Sequence, residues 1–336
     1  MSENRKTIVK LLAAFTAAAC LVAMSSAADG PQGTGGRSAK GVVEHAVKIK
    51  LKAYDRLTLF LLMPENGKAE GVLCLCMLGK DVADVKRRLL GESEDGRGCS
   101  QSIQFARERN FAIVAWGARN VWDASLNWDE MPKAKARKID ADFDLVAKAW
   151  NTGINFFVKN HGIPPSGYLM RGSSAAAQYA QRLALRCPER FLAVHVHVAS
   201  SYDLPVKGGA EVLWCVTTGE NELGYQRSKR FFRASRDLFY PIIYKAYPGL
   251  GHEGNSAVAR LGYACFEYAL AEYGRATRLN GGKPTKPDWA DIFTSGPYIA
   301  DIFNQAVYPK MEYPCVPPEF RMLIPSETIK EAWLEE

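Results

Sequence analysis

Histidine is scarce in this chain, with five among 336 residues. Chemistry that needs an imidazole near neutral pH must therefore draw on His45, His161, His195, His197 or His252. Long apolar runs are also lacking. Leu11 to Met24 is uncharged and apolar but too short to span a bilayer comfortably, and no later segment is apolar enough to cross one. The net charge is +7, yet the basic residues are scattered. Their densest cluster, Lys133 to Lys138, is short, lacks interleaved aromatics and reads as a solvated loop. A basic groove or stripe is the footprint of nucleic-acid binding, so no nucleic-acid partner is expected. No internal repeat is visible, which argues against solenoids and propellers. Metal-ligand spacing is thin as well. Cys74 and Cys76 alternate along a strand-like run with no histidine or third cysteine nearby, so they read as small core hydrophobes. No metal and no cofactor is expected.

Of the eight cysteines, seven follow residue 28. An odd number in an exported chain implies a free thiol or an intermolecular bond. Cys215 sits mid-strand and reads as core, while the pairing of Cys99, Cys187, Cys265 and Cys315 stays open.

Hydrophobic residues make up 47% and charged residues 24%, an ordinary globular balance that argues against disorder. Arg5, Lys6 and Lys10 precede the apolar run, and Ser25-Ser26-Ala27-Ala28 follows it. A charged start, short apolar middle and small-residue end predict a secretory signal peptide over residues 1–28, cleaved after Ala27 or Ala28. A retained anchor is the alternative. The expected location is secreted or periplasmic, with no membrane association after cleavage. Residues 29–40, rich in Gly and Ser, read as a flexible linker.

From there the pattern becomes regular. Glu44 to Lys52 and Leu57 to Met63 alternate as an edge hairpin, and Gly71 to Leu78 and Phe111 to Trp116 are continuous apolar runs of the kind buried parallel strands need. Ser100 to Arg109 is predicted helical. Phe143, Val146, Trp150, Ile154 and Phe157 mark one face of a helix over Asp140 to Lys159. Strands over Phe191 to Val198, Glu211 to Thr218 and Ile242 to Tyr247 alternate with helices over Tyr225 to Phe239 and Ser256 to Tyr273. A hairpin followed by alternating strands and helices predicts an α/β fold: one doubly wound, mostly parallel sheet of about eight strands with helices on both faces. The domain spans residues 41–274. Residues 275–336, which include Trp289, Phe293, Phe303, Phe320 and Trp333, read as an arm packed on the same domain.

The chemistry concentrates in Gly167 to Ala184. A short apolar run, Tyr168 to Met170, meets Gly172-Ser173-Ser174-Ala175-Ala176, and an alanine-rich helical pattern follows at once. Strand, sharp turn and helix put the Ser174 hydroxyl at the apex, with the helix N-terminus aimed at whatever it attacks. Small residues must flank it because strand and helix pass in contact, and Gly172, Ala175 and Ala176 supply that. The pattern is Gly-x-Ser-x-Ala, one methyl larger than Gly-x-Ser-x-Gly. If Ser173 points at the base instead, the register is off by one.

With the Pro188-Glu189-Arg190 turn and the strand after it, this stretch resembles the α/β-hydrolase superfamily, over roughly Val43 to Tyr273. The resemblance implies a base and an orienting acid on loops that follow later strands, in the order serine, acid, histidine. His252, in Tyr247-Pro248-Gly249-Leu250-Gly251-His252, directly follows the last predicted strand, whereas His45 and His161 precede the elbow and His195 and His197 alternate within a strand as core residues. Gly219-Glu220-Asn221-Glu222 resembles the superfamily's acid loop, with Glu222 as acid, Glu220 as runner-up and Asp203 third. The oxyanion donors implied are the backbone N–H groups of Ala175 and of Gly79 or Lys80; the His-Gly common at the latter place is missing. Trp116, Trp122 and Trp128 either stack on a sugar or aryl group or fill a cleft, with Trp116 and Trp122 the substrate-binding candidates.

Ser200 to Ala210, where many relatives insert a lid, is short, so no lid domain is expected. Architecture is similar to exported esterases of the polyhydroxybutyrate-depolymerase, feruloyl-esterase and acetylxylan-esterase kind. That implies a serine hydrolase acting on carboxylic esters, with a small-molecule or polysaccharide-linked ester as substrate. Two other readings stay open: an inactive binding protein on the same fold, and a peptidase, which would carry a larger cap or propeller.

Overall fold

The computed structural model describes residues 42–51, 54–77, 82–90, 100–117 and 133–336. Strands β1 (Val43–Leu51) and β2 (Tyr54–Leu62) pair antiparallel, and β2 pairs antiparallel with β4 (Phe111–Gly117). From β4 inward every pairing is parallel, through β3 (Gly71–Met77), β5 (Tyr168–Ser173), β6 (Phe191–His197), β7 (Leu213–Gly219) and β8 (Ile242–Tyr247). The sheet order is β1-β2-β4-β3-β5-β6-β7-β8. β3, β6, β7 and β8 are buried along their whole length, which is why they read as continuous apolar runs rather than alternating ones.

Helices cover both faces. One face carries α3 (Lys133–His161) and α4 (Ala175–Arg186). There Phe143, Val146, Trp150, Ile154 and Phe157 are all buried, and Gly153 lets α3 close on Leu59, whose methyl lies 2.8 Å from where a Cβ would stand. The other face carries α2 (Ser100–Glu108) and the long α6 (Ser256–Leu279), joined where Phe105 stacks on Tyr263 at 4.9 Å. Helix α5 (Tyr225–Arg236) follows β7.

Two local expectations are corrected. Lys133 to Lys138, read as a loop, forms the first turns of α3. Lysine, alanine and arginine are strong helix formers, and a helix start needs no apolar periodicity to exist. A further helix, α1 (Val82–Leu90), lies between β3 and α2, where no element was read; Val85 and Leu89 bury one short face.

The chain after α6 builds α7 (Trp289–Ser295), a three-stranded antiparallel sheet of β9 (Tyr298–Asp301), β10 (Ala306–Pro309) and β11 (Arg321–Ile324), and α8 (Glu327–Leu334). Trp289, Phe293 and Trp333 join the main core, and the Trp333 indole N–H donates to the Tyr244 carbonyl on β8 at 2.8 Å. Phe303 does not: it is exposed and stacks on the half-buried Phe320 at 5.0 Å.

Candidate active site

The turn after β5 shows why its residues are small. A Cβ on Gly172 would stand 2.5 Å from the Ala176 carbonyl oxygen, so any side chain there would push the helix away from the strand. Ala176 itself fits, buried, and the methyl by which it departs from the glycine pattern is accommodated. Ser174 has φ 58° and ψ −133°, a conformation that non-glycine residues rarely take. Two bonds hold it there: its N–H donates to the His197 carbonyl at 2.9 Å, and its carbonyl accepts from the Ala177 N–H at 2.9 Å. The strained turn turns the Ser174 side chain out of the sheet while Ala175 opens α4, placing its N–H among the first-turn donors that no intrahelical carbonyl reaches.

Ser174 Oγ lies 2.7 Å from His252 Nε2, and His252 Nδ1 lies 2.8 Å from Glu222 Oε2. The three side chains come from the ends of β5, β7 and β8, and form one connected chain at the C-terminal edge of the sheet. Glu222 is 6% exposed and His252 31%, so the carboxylate is sheltered while the imidazole faces the opening. The hydrogen bond that its ring N–H donates to Glu222 holds the His252 imidazole above its ordinary pKa, against burial, which acts the other way. Asp203 is occupied elsewhere, accepting from Arg182 at 2.7 Å and Arg186 at 2.8 Å. Glu220 is exposed, and Glu222 takes the place beside the imidazole.

The two loops are fastened to each other. Asn221 donates its backbone N–H to the Leu250 carbonyl and its side-chain N–H to the Gly249 carbonyl, both at 3.0 Å, and the Glu220 N–H reaches the Tyr247 carbonyl at 3.1 Å. A Cβ on Gly219 would stand 2.1 Å from the Leu250 oxygen, so only glycine admits this approach. These contacts set the acid and the base at a fixed separation. Asn221 and Gly219 were not singled out in the sequence; the Gly-Glu-Asn run beside the acid was the available signal.

Several candidates stand differently. Trp116 is wholly buried, edge-on to Tyr179 with ring centroids 5.7 Å apart, so it fills the core under α4 and presents no face to a ligand. It ends a strand covered on both faces, which is what removes it from the cleft. Gly79, Lys80, Trp122 and Trp128 lie outside the described residues. His195 and His197 are buried core histidines, both within 2.9 Å of Thr217 Oγ1. Cys74, Cys76, Cys187, Cys215 and Cys265 are buried free thiols and Cys315 is exposed, while Cys99 lies outside the described residues.

No family model and no curated protein matches the chain. Similar solved structures include a ferulic acid esterase (15% identity, TM-score 0.44, covering 68% of this chain and 96% of that one). A ferulic acid esterase from Anaeromyces mucronatus in complex with ferulic acid matches at 12% identity and a TM-score of 0.47, over 68% of this chain and 90% of that one. A dipeptidyl peptidase 4 from Porphyromonas gingivalis matches at 11% identity and 0.44, over 67% of this chain and 35% of that one, so here the chain spans about a third of its neighbour. Likenesses this distant carry no activity across, and the assignment of the fold rests on the strand order and the elbow. An antiparallel edge, a parallel sheet wound on both faces, and a strained serine between β5 and α4 together make this an α/β-hydrolase fold.

Proposed function

We propose that the chain is an exported serine hydrolase cleaving carboxylic esters of short acyl or aryl groups, on small molecules or on polysaccharide, through an acyl-enzyme. One observation carries the reading: Ser174, His252 and Glu222 form an unbroken hydrogen-bonded chain at a strained elbow beside a helix N-terminus. A serine hydroxyl is a poor nucleophile at neutral pH and needs this arrangement. As Ser174 Oγ attacks the ester carbonyl carbon, its proton passes to His252 Nε2, and Glu222 stabilises the imidazolium. The oxyanion gathers charge beside the α4 N-terminus, where the Ala175 N–H is one donor and the Gly79 N–H the proposed second. His252 then gives its proton to the leaving alcohol. Water, deprotonated by the same imidazole, attacks the acyl-enzyme and frees the acid and Ser174.

Export is proposed from the charged, apolar and small-residue order of residues 1–28. The ester class is supported by the shortness of the link between β6 and β7, residues 198–212, whose helical structure is the single turn Lys207–Glu211. A fluorophosphonate probe tests the reaction class. Wild type should be labelled and Ser174→Ala should not, and Ser174→Ala or His252→Ala should cut hydrolysis of a short p-nitrophenyl ester by about 10⁴-fold or more. Equal turnover by Ser174→Ala and wild type would make the chain a binding protein on a hydrolase scaffold.

A further inference from the structure

Behind the elbow, on the face covered by α6, the sheet carries a polar row that is buried from β6 to β8. Ser173, His197, Thr217 and Lys245 stand in register across β5, β6, β7 and β8, with Arg171, His195 and Cys215 in the next row. Buried imidazoles are costly unless they are hydrogen-bonded. Here one hydroxyl serves two of them: Thr217 Oγ1 is 2.9 Å from His195 Nε2 and 2.9 Å from His197 Nδ1. A hydroxyl has one proton and two lone pairs, so it can donate to one ring while it accepts an N–H from the other. Both rings are neutral, because burial, and after it the Arg171 charge, hold His195 well below its ordinary pKa and His197 down at about 3.

His195 Nδ1 has no partner and faces Gly262, where a Cβ would stand 2.2 Å away. The Glu253 side of the ring selects the arrangement in which His195 Nε2 donates to Thr217, Thr217 donates to His197 Nδ1, and His197 carries its own proton on Nε2. That nitrogen makes no well-formed hydrogen bond, and it faces the loop that bears His252. A Cβ on Gly254 would lie 3.2 Å from it, and the Glu253 backbone beside it favours a proton on the ring.

The same residue holds the nucleophile from its main chain, since its carbonyl accepts the Ser174 N–H at 2.9 Å. The next residue, Val198, has φ 46°, an outlier for a β-branched side chain, and is pinned by its N–H to the Thr217 carbonyl at 2.9 Å. Backbone strain of this kind persists where its surroundings over-determine it.

We propose that His197 is a positioning residue of the active site: its carbonyl fixes the Ser174 elbow, its Nε2–H supports the His252 loop, and Thr217 locks the ring that joins the two. The proposal rests on the serine-hydrolase reading and adds to it the group that sets the distance between nucleophile and base. Substitutions at His197 separate the parts. His197→Gln puts an amide N–H where Nε2 stood, His197→Asn reaches only Thr217, and His197→Phe keeps the ring without nitrogen. With p-nitrophenyl acetate, Phe and Asn should lower kcat by roughly 10- to 100-fold, the range a misplacement of about 1 Å costs, with KM within about twofold, and Gln should recover most of the loss. Gly254 is exposed and free of positive φ, so Gly254→Ala tests the contact from the solvent side in a protein that folds. It should lower kcat several-fold at an unchanged Tm, and its effect should not add to that of His197→Phe.

Wild-type kcat in folded Phe and Asn variants overturns the proposal, as does a Gln variant no better than Phe. If all three His197 variants unfold, a fully active Gly254→Ala overturns it. Failure of the reaction class looks different: the wild type itself then resists the fluorophosphonate probe, and the positioning role falls with it.

Discussion

Ser174 holds a backbone conformation that its own side chain makes costly, and the bonds to His197 and Ala177 keep it there. The cost is local and the benefit geometric, because the hydroxyl leaves the strand and meets His252 Nε2. Glu222 governs the other end of the imidazole, and its hydrogen bond is the main cause that raises the His252 pKa. The proposed acylation needs the neutral imidazole, so kcat/KM should rise with pH through that raised value and level off above it. Glu222→Gln removes the raising cause and leaves burial, which lowers the pKa. The acid limb of the profile should then move to lower pH while kcat falls by about 10³–10⁴-fold. A pH–rate profile of both proteins with one short ester checks this, and an unmoved acid limb would count against Glu222 as the orienting acid.

At the scale of elements, the C-terminal ends of β7 and β8 act as one unit, because Asn221 and Gly219 tie the acid loop to the histidine loop. The outer side of that unit is closed by α8. Lys245 on β8 is 2% exposed, with its ammonium 4.3 Å from the Trp333 ring centre and 5.4 Å from that of Tyr247. Burial pushes its pKa down to about 8, against the opposing charges of Glu336 and Glu220. Between pH 8 and the ordinary lysine value of about 10.4, the unfolded chain binds more protons than the folded one, so this residue makes stability rise with pH across that window. Below pH 8 the full penalty of burying the charge remains. Lys245→Met keeps the apolar stem and removes the charge. It should raise Tm at pH 7, by about 2–4 °C for each kcal/mol regained, and the gain should fade toward pH 10. Melting curves at pH 7, 8.5 and 10 decide it; a gain that is flat with pH rules out the charge as its source.

For the whole molecule, the arm after α6 is part of the core. Trp289, Met322, Ile329 and Trp333 are buried in the same cluster as the sheet, and β11 and α8 lie against β8. Removing residues 280–336 would bare the edge strand and its apolar face together, a combination that favours aggregation. The truncated chain should be insoluble or elute as aggregate in size-exclusion chromatography, and a soluble, monomeric product would show the arm to be dispensable. Substrate length is also a property of the whole surface. Each extra acyl methylene gains about 0.8 kcal/mol only where it leaves water. The short-ester reading puts no such cover over Ser174, so acetyl and aryl esters should be turned over better than p-nitrophenyl esters of eight or more carbons. A kcat/KM that climbs steadily from two to twelve carbons would replace the short-ester reading with a lipid-type pocket.

The sequence by itself determined what depends on neighbours along the chain. Continuous apolar runs specified the buried parallel strands, because a strand covered on both faces has no polar side to show. The small residues around Ser174 specified the elbow, because strand and helix collide there within five residues. Ser174, Glu222 and His252 were legible because each follows a strand that could be read and because strand order fixes which loops share an edge. What lay across the sheet was decided only by the tertiary structure. Trp116 reads the same in a cleft or a core until α4 is packed over it. Asp203 could serve as the acid until Arg182 and Arg186 are seen to hold it. The sharing of Thr217 by His195 and His197 depends on the register of β6 against β7, and the contact of His197 with the His252 loop on how a loop over fifty residues away folds back. Such contacts join residues distant in the chain, and their geometry exists only once the sheet is assembled.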